Sequence, residues 1–65
     1  MNNLESFIDV QQLLKQFGIF VYIGHRESDI LLMEEEVKEL YQNGLVSLET
    51  YKQALLILRS EKSSS

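Results

Sequence analysis

Three apolar stripes, separated by glycine stops, leave this chain few ways to fold. Phe7, Val10, Leu14 and Phe17 fall at 3-4-3 spacing and so align on one face of a helix. Ile30, Met33, Val37, Leu40 and Tyr41 form a second stripe. Leu48, Tyr51, Ala54, Leu55 and Leu58 form a third. Gly18 follows the first stripe and Asn43-Gly44 the second, where a left-handed residue ends a helix.

The spacing predicts a first helix from about Leu4 to Phe17. Leu13 and Ile8 widen its apolar face, and Glu5 and Asp9 lie near its positive end. The second helix is expected to begin at Ser28 as N-cap and run to about Asn43, with Asp29 in its first turn and Glu34–Lys38 as an i,i+4 pair. The third is expected to start at Ser47, with Val46 and Tyr51 placed as a hydrophobic staple. The short link between the second and third helices makes them antiparallel neighbours. Three stripes sharing one core give an all-α fold, a small three-helix bundle with an extended connector over residues 18–27. Residues 1–62 read as one helical domain and 63–65 as a disordered serine tail.

The expected core is Phe7, Val10, Leu14, Phe17, Met33, Val37, Leu40, Tyr51, Leu55 and Leu58. Leu32 points about 160° from the centre of its stripe at 100° per residue, and Leu56 is similarly displaced. Either Leu32 packs on the Ile19–Ile23 segment and Leu56 is a lone exposed leucine, or both belong to a second apolar surface for a partner or another copy.

Size excludes a good deal. A 65-residue chain buries little surface, and this one has no cysteine, so it has no disulfide or thiolate metal site. Its one histidine does not anchor zinc alone, and Glu34-Glu35-Glu36 fan around a helix rather than converge. No metal or cofactor is expected. His25, Ser28 and Asp29 include triad residue types, but nothing builds an oxyanion hole, and so short a chain has little room for a water-excluded pocket. The reading is therefore non-enzymatic, with no small-molecule substrate. The N-terminus lacks the pattern of a signal peptide, and the longest apolar run, Ile19 to Ile23, is far short of a membrane span. The expected location is the cytoplasm, with no membrane partner. A net charge of −4 argues against duplex DNA.

The segment Phe20-Val21-Tyr22-Ile23 has high β-propensity with no second strand to pair with. It reads either as a connector laying alternate side chains over the bundle or as a strand pairing with the same segment of another molecule. Beside it, Tyr22, Gly24, His25 and Arg26 join stacking rings, a close-approach glycine and a cation. Single-stranded nucleic-acid sites use this combination, and so do protein interfaces. A purely structural alternative has Tyr22 packed on the bundle and Arg26 paired with Asp29 or Glu27. The leading expectation is a binding or regulatory module for an unidentified protein partner or for self-association. Single-stranded nucleic-acid binding through Tyr22–Arg26 is the alternative.

The string Asp9-Val10-Gln11-Gln12-Leu13-Leu14-Lys15-Gln16-Phe17-Gly18, followed by Tyr22-Ile23-Gly24, Arg26, Asp29-Ile30 and Leu32-Met33-Glu34, resembles the YqgQ family. Glu39-Leu40-Tyr41, Tyr51 and Ala54 also match, so the resemblance covers nearly the whole chain. It implies a short cytosolic protein of a Gram-positive bacterium with a small three-helix fold. The family is one of unknown function, with single-stranded nucleic-acid binding suggested from fold similarity.

Overall fold

A computed structural model describes residues 4–63, with side chains described through Lys62. Three helices follow one another: α1 (Phe7–Gln16), α2 (Arg26–Gln42) and α3 (Leu48–Ser63). Each touches both of the others, and α2 with α3 makes the most extensive contact. Of the serine tail expected over 63–65, Ser63 closes α3, and residues 64 and 65 lie outside the described residues.

The helix ends follow from local hydrogen bonds. Ser6 caps α1: its hydroxyl accepts from the Asp9 N–H at 3.3 Å, and the Asp9 carboxylate accepts from the Ser6 and Glu5 N–H groups at 3.2 and 2.9 Å. This reciprocal arrangement starts α1 at Phe7 rather than at Leu4. The α1 and α2 C-termini are built alike. Gly18 donates to the Lys15 carbonyl and Ile19 to that of Leu14; Gly44 donates to Tyr41 and Leu45 to Leu40. Both glycines have the expected positive φ, 77° and 74°. These are Schellman closures, in which the two residues beyond the helix satisfy carbonyls that the helix leaves unpaired. At the start of α3, the Thr50 N–H donates to the Ser47 hydroxyl at 3.1 Å, the cap expected from the sequence.

The N-terminus of α2 corrects the sequence reading. The helix begins at Arg26, so the connector stops at His25 instead of running to residue 27, and Ser28 lies in the first turn instead of capping it. His25 is the N-cap, with φ −120° and ψ 116°, and its side chain makes no capping bond. The cause is Asp29. Its Oδ1 accepts from the Ile23 N–H at 2.7 Å, and Gly24, at φ 100°, turns the chain between them. Holding Ile23 against the Asp29 carboxylate winds the intervening residues into the helix three positions early.

Val10, Leu14, Ile30, Met33, Val37, Leu40, Ala54 and Leu58 make up the buried core, each at most 5% exposed. Phe7, Ile19, Val21, Val46, Tyr51 and Ile57 pack around it. Several expectations change. Phe7 and Tyr51 are half-buried at the edge of the core, and Tyr41 and Leu48 of the predicted stripes are exposed. Phe17 is 38% exposed, because as C-cap at φ −101° and ψ 12° it has left the helical register that aligned it with Leu14. Leu55 is only half-buried, since α3 turns Ala54 and Leu58 inward. Ile8 does not widen the α1 face, lying 62% exposed. Tyr51 instead stacks on Tyr41, centroids 4.9 Å apart and rings nearly parallel at 6°. Leu32 and Leu56, displaced from their stripes in sequence, are both exposed.

Candidate functional site

The connector between α1 and α2 is neither helix nor strand over residues 19–23, yet its burial alternates from Ile19 to Tyr22, until the exposed Ile23 ends the pattern. Ile19 and Val21 pack against the core, whereas Phe20 and Tyr22 are 74% and 84% exposed. That two-residue period belongs to an extended chain. It matches the connector expected to lay alternate side chains on the bundle. The Schellman closure after α1 fixes one end of the run, and the Ile23–Asp29 bond fixes the other. Asp29 is itself 94% buried (6% exposed), so its carboxylate acts as an internal peg for the chain.

Between these anchors lies an open groove of about 250 Å³. Leu14 and Met33 form its floor, Ile19 to Tyr22 one wall, and Gln11 and Lys15 of α1 the opposite rim. The volume is below the roughly 300–1,000 Å³ usual for small-molecule sites, and it suits one or two inserted side chains better than a substrate. Lys15 is exposed and has no ion-pair partner among the described residues.

The structure divides the four residues singled out from the sequence. Tyr22 projects beside the groove. Gly24 forms the bend, and His25 caps α2; both are exposed, and neither lines the groove. Arg26 turns away. Its Nη1 donates to Glu61 Oε1 at 2.7 Å, and its guanidinium lies 4.3 Å from the centroid of the Phe7 ring. The pairing with Asp29 or Glu27 is thus replaced by one across the bundle. Asp29 is taken up by Ile23, and Glu61 of α3 comes within reach. Arg26 ties the start of α2 to both neighbouring helices through a pair 35 residues apart in sequence. Nothing in the local sequence signals that partner. Sequence reasoning also missed Phe20 and Lys15 as companions of Tyr22. Only the alternation over residues 19–22 could have found Phe20. Lys15 reaches the groove because the Schellman turn folds the connector back beside α1.

Among the described residues no three His, Asp or Glu side chains gather as a metal site, and no helix is long and apolar enough to cross a membrane.

A family model described as YqgQ-like matches residues 4–64. The chain is also 48% identical over 58 residues to the uncharacterized protein YqgQ of Bacillus subtilis (strain 168), a match covering 89% of this chain and 82% of that one. The resemblance first carried by the Asp9–Gly18 string thus extends through all three helices, and the chain belongs to the YqgQ-like family.

Proposed function

We propose that this protein is a non-enzymatic interaction module that binds a protein partner through the connector face. The observation that carries the reading is the pair Phe20 and Tyr22, 74% and 84% exposed beside a side-chain-sized groove. Two large rings left in water on a segment pinned at both ends cost the free protein hydration that a partner would relieve. Aromatic residues are the side chains that anchor interfaces most strongly. The anchored backbone also lowers the ordering cost of association.

The nucleic-acid alternative needs cations for phosphate, and two observations weigh against it. The chain carries a net charge of −4, and Arg26 is already engaged with Glu61 and Phe7. Lys15 beside Tyr22 is the remaining cation at the groove.

The test is crosslinking of the tagged protein in native lysate, with and without nuclease, comparing wild type with a Phe20→Ala/Tyr22→Ala variant of unchanged helix content. The expected result is one or more protein adducts formed by wild type and lost in the variant. Adducts that survive the double substitution reject this face as the binding surface. Adducts that vanish with nuclease transfer the function to nucleic acid.

A further inference from the structure

We infer that the partner at the connector face is a second copy of this chain: two copies pair about a two-fold axis, each laying Phe20 and Tyr22 over the groove of the other. This rests on the reading of that face as a protein-binding surface, and it names the occupant.

The first argument is shape. The face carries a projection and a recess side by side. Phe20 and Tyr22 rise from the connector wall, 74% and 84% exposed, and the groove of about 250 Å³ beside them has room for one or two side chains. A closed dimer needs a face that is complementary to itself. A two-fold axis lying in the plane of contact, between the rings and the groove, sets each copy's rings opposite the other's groove. Leu14 and Met33 on the groove floor offer those rings an apolar surface.

The second argument is charge. Copies of one chain carry the same charge, and −4 on each makes them repel. They meet at least cost where acid is absent. The chain has ten Asp and Glu residues, yet none is among the described residues that line this groove. The other exposed leucines are worse placed. Leu31 has Glu27 and Glu35 one turn to either side on α2, and Leu56 lines a second recess together with Glu5 and Glu61. The exchange also brings Lys15, exposed on the groove rim, beside the partner's rings, and an ammonium is attracted to an aromatic face.

The third argument is area. Burying an aromatic side chain removes about 150–250 Å² from water, so four rings starting from these exposures supply about 500–800 Å². The groove surfaces that they cover give up a similar area. The total, about 1,000–1,600 Å², reaches the range of specific interfaces, roughly 1,200–2,000 Å². It reaches only the low end, so the dimer is expected to be weak and in the micromolar range.

The test is sedimentation velocity on the whole chain from about 10 μM to about 1 mM. The expected result is a mass that climbs from monomer toward dimer with concentration. Added salt should strengthen the association by screening the mutual repulsion. Two variants, each checked for unchanged helix content, then separate the rings from the groove. Phe20→Ala/Tyr22→Ala removes the rings and keeps the groove floor and rim. Gln11→Trp fills the groove from its α1 rim and keeps the rings. Each alone should weaken dimerisation at least about tenfold, the level of an interface hot spot. An equimolar mixture of the two should recover part of the loss, because the rings of the Gln11→Trp copy meet the open groove of the ringless copy.

A wild type that stays monomeric overturns the second copy. If it still forms adducts in lysate that depend on Phe20 and Tyr22, the surface keeps its reading with a different protein upon it. A monomer without such adducts defeats both readings. A dimer that survives both variants lies on another face and overturns the exchange. Loss in both variants with no recovery in the mixture overturns it as well, since the rings then pack on each other. Should either variant unfold, dilution of nitrogen-15-labelled wild type decides. Amide shifts gathered at residues 11–15 and 19–22 support the exchange, and shifts gathered at Leu31, Leu32 or Leu56 overturn it.

Discussion

Replacing Asp29 with alanine should cost this protein about 2 kcal/mol, and the figure follows from what the carboxylate holds. Its Oδ1 accepts the Ile23 N–H at 2.7 Å, a charge-assisted bond, and such bonds contribute about 1.5–3 kcal/mol. Asp29 also lies in the first turn of α2, where a negative charge near the helix N-terminus adds about 0.3–1 kcal/mol. One effect offsets these. Ile23 is 53% exposed, so water can reach the abandoned N–H, and the penalty for stranding a donor is small. The lower half of the summed range is therefore the expectation. Asp29→Asn keeps an acceptor and loses the charge, so it should cost about half as much. For a domain this size, 1 kcal/mol shifts the melting temperature by about 4–8 °C, so Asp29→Ala should melt about 8–16 °C below wild type. The assay is urea unfolding followed by far-ultraviolet circular dichroism, fitted with a shared slope, with a thermal melt as a second measure. The ordering is the diagnostic: wild type above Asn above Ala. If Ala and Asn are equally destabilised, the acceptor contributes nothing and the connector is not pegged by Asp29. If both lie within about 0.5 kcal/mol of wild type, the level of an ordinary surface substitution, the structural role assigned to this residue is wrong.

Further outcomes are expected from the same denaturation measurements. Gly18→Ala and Gly44→Ala should each cost about 1–2 kcal/mol, because a Cβ opposes their φ of 77° and 74° although it would meet no atom within 4 Å. A loss well beyond that would reveal a steric clash that the structure lacks. Leu14→Ala, removing a side chain that is 1% exposed, should cost about 2–5 kcal/mol; a neutral result would refute the core assignment. A double-mutant cycle on Arg26 and Glu61 should give a coupling of about 0–1 kcal/mol that shrinks with added salt, because the two side chains are 51% and 38% exposed. A coupling that ignores salt would assign the contact to packing instead.

Much of the scaffold is legible in the sequence, for reasons that are local. Gly18 and Gly44 each follow an apolar stripe, and a left-handed residue there has one economical use. Val10, Leu14, Met33, Val37, Leu40 and Leu58 are spaced as one helical face requires. Ser47 precedes its helix as a cap should. What was missed depends on contacts made across the fold. Ser28 is an acceptable N-cap by type, but Asp29 reaching back to Ile23 moved the start of α2. Phe17 sits on the right spacing, but the closure at Gly18 takes it out of register. Within the candidate site, Tyr22 was visible as an aromatic on a strand-like run. The loss of Arg26 to Glu61 was not, since only the packing of α3 beside the start of α2 brings those side chains together.

The five residues between α2 and α3, 43–47, have a kinetic consequence. Closing so short a loop costs little chain entropy, and the hairpin it closes holds the largest helix–helix contact of the bundle. The hairpin is thus the natural folding nucleus, with α1, the shortest helix at 10 residues, docking afterwards across a longer connection. The cost of Leu14→Ala should then surface as faster unfolding, with the folding rate nearly unchanged. Because the connector hangs between the nucleus and the last helix to arrive, its exposed Phe20 and Tyr22 are set in place at the end of folding, and the connector comes undone before the hairpin does.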